Sequence, residues 1–464
     1  CIDVALMKPK VLTENEITEM LTKVTEEELA ECNSHILTPL KEIVLASGTP
    51  GGAIVYDIHG NEYLDCTSQA WTLNVGYVHP DVIYATQFQA ERLTHVRYGY
   101  PTIPRIKLVN KLAQIAPGQL KKVSIQNQGG STAIEAAMKL SMIHKPGASL
   151  FVTHWLGYHG ATLATITASN WMPNPLIRFP CFGLQHFVKA PYPYCYRCRG
   201  NQDPKDCDLE CLQYLRNLLM YGTNTPVAGV IVEPMQGPGG QVVAPQRYIE
   251  GIRQLCNELH VALIFDESQT AFGRVGKMFA SEIYKVTPDL MALTKALGGG
   301  LPIGATLADK KFEIFTPAEE HSTFGSSPLI MAAALINLEV IQRLNLPRRA
   351  EKIGAHITKR LREIQKKSEH IGDIRGPGLF IGIEMVRDRK DKVPANSLAD
   401  AIVREGLKRG VIYDLSMPFM RSLQFQRNVV KIKPPLIITE EEADRAVDVF
   451  DESLAAALKD LRVL

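Results

Sequence analysis

Short apolar runs alternate with amphipathic runs between about residues 100 and 340. The apolar runs fall at residues 122–125, 149–153, 227–232, 261–265 and 289–293. Stretches between them, such as 133–143 and 248–258, carry apolar residues at helical spacing. This alternation of strands and helices predicts an α/β fold whose mostly parallel central sheet has helices on both faces.

The pattern changes on both sides of this region. Residues 1–35 are charged and polar, which predicts a helical segment lying on the surface. Two short runs, 53–57 and 61–65, predict a β-hairpin, and 85–94 a helix. From about residue 345 the order becomes helix, strands, helix, which predicts a smaller α+β unit. We therefore expect residues 1–100 to contribute to the small domain, 101–345 to form the large domain and 346–464 to form the C-terminal small α+β domain.

Composition narrows the class of protein. Charged residues make up 22% of the chain and hydrophobic residues 45%, which is typical of a folded soluble protein. The net charge of +2 predicts no binding to nucleic acid. No apolar run approaches the roughly 18 residues that span a bilayer, so we expect no membrane partner. The nine cysteines, an odd number, favour a reducing compartment and predict a cytoplasmic protein.

Ionisable residues follow two of the predicted strands. Asp266 and Glu267 end the apolar run 261–265, and Lys295 follows the run 289–293 and precedes three glycines. Carboxyl ends of strands are where open α/β sheets bind ligands. A desolvated lysine at such a place is suited to Schiff-base chemistry. A buried carboxylate near it is the partner that a pyridinium nitrogen needs.

Three other strand ends and one loop carry polar or aromatic residues. Gly130 and Ser131 stand between a strand and a helix, where free N–H groups can bind phosphate; the alternative is a tight turn with Ser131 as the helix N-cap. Tyr158 follows the next strand and could stack on a flat ring, or simply pack at the edge of the core. Glu233 is either part of a site or a solvated loop carboxylate. The loop 321–328 offers hydroxyls, or is only a helix entry.

Together these pieces resemble the class III aminotransferases, which are pyridoxal-phosphate enzymes of fold type I. The resemblance covers about residues 40 to 450. Its most specific segments are Asp266-Glu-Ser-Gln-Thr-Ala-Phe-Gly-Arg-Val-Gly276 and Thr294-Lys-Ala-Leu-Gly-Gly-Gly-Leu-Pro-Ile-Gly304. It implies pyridoxal 5'-phosphate (PLP) bound in the large domain, small-molecule amine and oxo-acid substrates, and a homodimer with shared active sites.

The resemblance also implies a role for each residue. Lys295 would hold the cofactor as a Schiff base and move the substrate proton, and Asp266 would pair with the pyridinium nitrogen. Glu233 would support Asp266 or the lysine side of the site, and Gln269 would reach the 3-oxygen of the cofactor. The remaining contacts would be ring stacking by Tyr158, phosphate binding by Gly130 and Ser131, and contact of Thr323 with the phosphate in the other subunit.

Two positions bear on the substrate. Many relatives carry an arginine that grips the substrate carboxylate a few residues before Pro-Pro-Leu, and this chain has Lys431 there. A lysine is a point charge rather than a planar fork, so the carboxylate is held differently or is absent. Trp71 falls where relatives line the substrate pocket; the alternative is a partly buried core tryptophan.

Four cysteines form a separate cluster in the sequence. Cys195, Cys198, Cys207 and Cys211 are spaced Cys-x₂-Cys-x₈-Cys-x₃-Cys. Four thiolates could hold zinc or an iron–sulfur cluster. The alternative, which we adopt for the site prediction, is reduced or opportunistically paired thiols in an insertion loop between sheet strands, with no metal.

We therefore predict an aminotransferase that moves an amino group from an amine or amino acid, including an ω-amino acid, to an oxo acid through a Schiff base on Lys295. An amino-acid racemase or epimerase on the same scaffold is the alternative, and decarboxylase or phospho-lyase variants also remain. A non-catalytic binding protein is disfavoured, because folding requires neither Lys295 nor Asp266 and a buried unpaired lysine is costly.

Overall fold

The computed structural model describes residues 11–37, 41, 43–126, 128–170, 186–198, 200, 202–416 and 427–461. The first ten residues of the predicted N-terminal helical segment lie outside this set. The described helices are Glu14–Thr22, Glu26–His35, Pro80–Ala90, Ile103–Ile115, Gly130–His144, Leu163–Ala168, Glu210–Tyr221, Gln246–Glu258, Ala280–Tyr284, Pro328–Arg343, Leu346–Lys367, Asn396–Lys408 and Glu440–Asp460. Neither of the first two buries a residue, in line with the predicted surface segment.

The strands form one large and several small sheets. They are β1 Leu45–Gly48, β2 Ile54–Asp57, β3 Glu62–Asp65, β4 Lys122–Gln126, β5 Leu150–His154, β6 Phe187–Ala190, β7 Val227–Val232, β8 Met235–Gln236, β9 Val242–Val243, β10 Ala262–Asp266, β11 Leu290–Leu293, β12 Gly304–Ala308, β13 Ile371–Arg375, β14 Ile381–Met385, β15 Val411–Ile412, β16 Asp414–Leu415 and β17 Val429–Ile432. The predicted hairpin is confirmed, since β2 and β3 pair antiparallel.

The central sheet has seven strands in the order β4-β12-β11-β10-β7-β5-β6. The pairs β11-β10, β10-β7, β7-β5 and β5-β6 are parallel, and β12 runs antiparallel to both of its neighbours. The mostly parallel sheet is therefore confirmed. Strands β7, β10 and β11 are adjacent, so their carboxyl ends place three chain segments side by side.

Helices cover both faces of this sheet. Apolar residues alternate along β10: Ile264 packs with the helix Gly130–His144 on one face, and Leu263 and Phe265 pack with the helix Gln246–Glu258 on the other. A strand buried on both faces must be apolar throughout, which explains the continuous apolar runs in the sequence. The core holds the strands rigidly, and their polar ends project from it.

A smaller sheet, in the order β13-β14-β17-β16, lies in the C-terminal part of the chain. The buried Arg274, in the loop after β10, links this part to the rest. Its guanidinium donates to the carbonyl of Leu379 at 3.1 Å, the Oδ1 of Asn74 at 2.7 Å and the Oγ of Ser68 at 2.9 Å. These bonds tie the N-terminal, central and C-terminal segments together around one loop.

Within the described part of the chain, no single helix has the length and apolar character needed to cross a membrane. A bent pair, Pro328–Arg343 with Leu346–Lys367, meets that test together, by length and composition alone.

Candidate active site

Asp266 ends β10 and is buried with His159. The Nδ1 of His159 lies 2.9 Å from Oδ2 of Asp266, and the backbone N–H of Ser268 donates to Oδ1 at 3.1 Å. Burial alone would raise the pKa of Asp266, but the interactions with His159, Ser268 and Lys295 outweigh it and hold that pKa below its usual range. Asp266 is therefore an ionised carboxylate in a site closed to water.

Glu233 follows β7, which is the neighbour of β10. Its two carboxyl oxygens accept the backbone N–H groups of Tyr158 and Gly237, both at 3.0 Å. Burial, together with the charge of Asp266, raises the pKa of Glu233 to about 8. Two carboxyl groups in one buried site are thus pushed apart in pKa, with Asp266 ionised and Glu233 able to hold a proton.

Lys295 follows β11, the other neighbour of β10, and its backbone is in the left-handed region with φ of 50°. This conformation is costly for a residue with a side chain, and such strain concentrates at functional sites. Burial lowers the pKa of Lys295 against the opposing charges of Asp266 and Glu233, and Lys431 adds to the lowering. A lower pKa increases the fraction of neutral amine, the form that attacks a carbonyl.

The turn before the helix Gly130–His144 lies against the segment that carries Lys295. A Cβ atom at Gly130 would come within 3.0 Å of Cγ2 of Thr294, a tight contact that favours glycine here. The helix is capped by Gly129, which has φ of 103° and no capping side chain. Ser131 is therefore not the N-cap; its Oγ accepts the N–H of Ala161 at 3.0 Å. The first turn keeps free N–H groups of the kind that bind phosphate.

Buried polar atoms without a protein partner surround these groups. Among the described residues, Nε2 of His159, Oε1 of Gln269 and Nε1 of Trp71 are buried and make no hydrogen bond. Buried polar groups are normally satisfied, so unsatisfied ones near a site call for a ligand. The site as a whole fits a phosphorylated pyridine aldehyde. The ionised carboxylate suits the pyridinium nitrogen, the lysine of lowered pKa suits the aldehyde, and the helix start at Gly130 suits the phosphate.

Trp71 ends a turn of four successive left-handed residues, Ser68 to Trp71, with φ between 44° and 68°. The N–H of Gln69 donates to Asp65 at 3.1 Å, and the Oγ of Ser68 donates to the carbonyl of Lys433 at 2.7 Å. The turn places the indole ring centroid 5.9 Å from Nζ of Lys295. Trp71 is thus nearly fully buried and also forms a wall of the site.

Three further predicted site residues differ in their burial. Lys431 is buried and paired with Asp414, with its Nζ 3.1 Å from Oδ2. Thr323 is exposed, next to Phe324, whose ring centroid lies 5.4 Å from that of His95. Tyr158 is partly buried, and its backbone rather than its ring provides the contact with Glu233.

The four clustered cysteines are free, partly buried thiols. Cys195 and Cys198 flank a short 3₁₀ turn, and Cys211 lies in the first turn of the helix Glu210–Tyr221. Burial raises the pKa of both Cys195 and Cys211 to about 11. No group of three or more metal-binding side chains was found in the described part of the chain.

Sequence reasoning missed His159 as the partner of Asp266, and it also missed Lys433 and Asp414 beside Lys431. The signal for His159 was its place next to Tyr158 at the same strand end. The signal for Lys433 was its spacing of two residues from Lys431, which would put both side chains on one face of a continued strand.

The site has the features of a fold type I PLP enzyme. It combines a lysine, an aspartate and a glutamate at the ends of three adjacent parallel strands with a helix start suited to phosphate. The family model for class III aminotransferases matches residues 41–454. The chain belongs to this family, and it is a PLP-dependent aminotransferase. The predicted family, fold class, cofactor and enzyme activity are therefore confirmed.

Similar proteins of known name also carry out the chemistry of this family. A leucine/methionine racemase of Thermococcus litoralis is 33% identical over 93% of this chain and 96% of its own length. An acetylornithine aminotransferase of Methanothermobacter thermautotrophicus is 34% identical over 88% and 93%. The ω-transaminase of Pseudomonas jessenii, solved in complex with PMP, is 25% identical with a TM-score of 0.83 over 93% of this chain and 98% of that one.

Proposed function

We propose that the protein transfers an amino group from an amine or amino acid to an oxo acid, with Lys295 and Asp266 as its catalytic residues. The observation that carries this proposal is the placement of Lys295, with a lowered pKa, at the strand end beside ionised Asp266. PLP, when bound, supplies an electron sink. Lys295 takes the proton from the substrate carbon that bears the amino group and returns it elsewhere.

Further residues orient and hold the reactive parts. Asp266 keeps the ring nitrogen protonated, and His159 fixes the Asp266 carboxylate. Glu233 positions the Tyr158 backbone and thereby the ring that we expect to stack on the cofactor. Gln269, which is buried in the loop after β10, would donate an N–H of its side-chain amide to the 3-oxygen. Gly130 and Ser131 bind phosphate through the helix start.

The alternative is a racemase or epimerase, which the names of two relatives favour, a leucine/methionine racemase and an isoleucine 2-epimerase. A racemase returns the proton to the same carbon on the opposite face and needs no oxo acid. An acetylornithine aminotransferase and a 4-aminobutyrate aminotransferase among the relatives favour transfer.

A donor assay separates the two reactions. We expect purified holoenzyme to absorb at about 410–430 nm. A single donor, added without an oxo acid, should bleach this band as the amino group passes to the cofactor, and pyruvate or 2-oxoglutarate should restore it. Exchange of the donor's Cα hydrogen with solvent, with inversion at that carbon and no bleaching, would instead establish a racemase.

We also propose that the protein is a homodimer whose subunits share active sites. The exposed Thr323 has a predicted role only across a dimer interface. Large apolar side chains that are more than half exposed lie on the neighbouring elements: Tyr84, Tyr100, Ile103, Ile106 and Phe324. The helices Pro80–Ala90 and Ile103–Ile115 both pack on Pro328–Arg343, and we propose that these side chains belong to one dimer interface.

Sedimentation equilibrium tests the dimer. The wild type is expected to sediment as a dimer or a larger even assembly, and the double variant Ile103→Glu/Phe324→Glu as a monomer with reduced turnover. Ile314→Glu, at an equally exposed apolar residue outside this surface, serves as the control and should stay associated. A wild-type monomer with full activity would refute the shared site.

The proposed compartment is the cytoplasm. All seven cysteines in the described residues are free thiols, as a reducing environment maintains them.

A further inference from the structure

Asp414, Lys431 and Lys433 form one charged cluster on the small sheet. Asp414 of β16 stands directly opposite Lys431 of β17 in the strand register, and Lys433 is the first residue after β17. Oδ2 of Asp414 lies 3.1 Å from Nζ of Lys431 and 2.9 Å from Nζ of Lys433. A single carboxylate oxygen therefore binds both ammonium groups.

This cluster lies on the same wall of the active site as Trp71. The ammonium groups of Lys431 and Lys433 lie 4.9 Å and 3.5 Å from the centroid of the Trp71 ring, which also lies 5.9 Å from Nζ of Lys295. The lysine side chains are 2% and 0% exposed, whereas that of Asp414 is 37% exposed. The accessible member of the cluster is the acid, and the two cations lie behind it.

Asp414 is a strong competitor for any anion that approaches these lysines. Partial burial alone would raise the pKa of Asp414, but Lys431 and Lys433 outweigh it and hold that pKa far below its usual range. The carboxylate is therefore charged at neutral pH. The chain itself holds Asp414 beside the lysines, so its carboxylate has an effective concentration there of at least about 1 mM. An external carboxylate must compete with it for the two ammonium groups.

The lysines have few other partners. Nζ of Lys433 also donates to the carbonyl of Thr67 at 3.2 Å, and the N–H of Leu415 occupies Oδ1 of Asp414 at 2.9 Å. Removing the acid would leave Lys431 without its ion pair and Lys433 with only the more remote charge of Asp65, an unfavourable state that an incoming anion relieves. The two lysines are thus a carboxylate-binding site already filled by a side chain of the protein.

We infer that Asp414 is a specificity-determining residue that excludes substrate carboxylates from Lys431 and Lys433, so that the enzyme favours amino donors with an uncharged group at the Trp71 wall. This inference rests on the proposed transfer of an amino group. It deepens that function by naming the donor class, amines rather than amino acids whose carboxylate must reach this wall.

The test compares matched donors in the wild type and in Asp414→Asn. One pair is pentylamine and 5-aminopentanoate; the other is 2-aminopentane and 2-aminopentanoate, which carries its carboxylate on the reacting carbon. The rate of bleaching at about 410–430 nm gives kcat/KM for each donor. In at least one pair, Asp414→Asn should raise the ratio of kcat/KM for the acid to kcat/KM for the amine by about tenfold or more. The change should come from a lower KM for the acid, because its carboxylate gains an ionic contact with the lysines.

The control is Asp400→Asn. Asp400 is also 37% exposed and pairs with Arg427 at 2.9 Å in the same part of the chain, but it is not paired with the lysines. The acid-to-amine ratios of kcat/KM in Asp400→Asn should match those of the wild type. Ratios in Asp414→Asn that stay within about twofold of the wild type in both pairs would overturn the inference.

Two further measurements keep the test decisive. If Asp414→Asn does not fold, Asp414→Asn/Lys433→Met removes one charge of each sign and leaves Lys431 free, and the same gain is expected. Calorimetric titration of the holoenzymes with pentanoate reports the anion site without any reaction. If no donor bleaches the wild type, the proposed function fails, whereas pentanoate binding that is about tenfold tighter in the variant still supports the role of Asp414.

Discussion

Replacing Lys295 with alanine is expected to reduce turnover by at least about 1000-fold, because the variant loses both the covalent attachment of the cofactor and the base that moves the substrate proton. The structure gives the reason in physical terms. Nζ of Lys295 is desolvated between two carboxylates and has a lowered pKa, so no surface amine can replace it. The absorbance at about 410–430 nm should vanish with the turnover.

The exposed Lys277, in the loop after β10, provides the matched control. Lys277→Ala should keep both the absorbance and the turnover of the wild type. Alanine keeps the Cβ atom that makes φ of 50° costly, but it removes a buried, desolvated amine, so the replacement should leave thermal stability unchanged or slightly raised. Substantial turnover in Lys295→Ala would show that the catalytic lysine has been misidentified.

The parts of the fold that the sequence predicted well are those whose burial produces a periodic pattern. Strands β7, β10 and β11 are buried on both faces, and each appears in the sequence as an apolar run. Strand β12, the one antiparallel member of the sheet, was not predicted. Its residues, Gly304 to Ala308, are mostly small, because a Cβ atom at Gly304 would come within 2.4 Å of the carbonyl of Gly129. Small residues carry little periodic signal.

The site shows the same limit. Lys295, Asp266 and Glu233 could be predicted because each stands at a strand end, where the order of residues along the chain determines their place in space. The pairing of Asp414 with Lys431 and Lys433 depends on the register between β16 and β17. The residue types of these three positions give no sign of that register, since it is set by long-range packing.

Replacing Asp266 with asparagine is expected to lower kcat by at least about 100-fold. Enzymes lose a similar factor when one preorganised electrostatic group is removed from the active site. The amide has nearly the same shape but no charge, so it cannot hold a proton on the ring nitrogen. It also leaves His159 without its anionic partner at 2.9 Å. The loss should fall on kcat rather than on KM, because the charge is needed after the donor has bound.

Asp289→Asn separates this effect from the general cost of losing a buried carboxylate. Asp289 precedes β11 at the opposite end of the sheet, where it accepts the N–H of Leu263 and pairs with Arg253, both at 2.8 Å. We expect this variant to lose thermal stability while its folded fraction keeps the kcat of the wild type. Asp266→Asn should instead lose kcat while keeping its thermal stability. Equal kcat values in the two variants would remove Asp266 from the catalytic mechanism, because only a residue acting on the cofactor can reduce kcat without destabilising the fold.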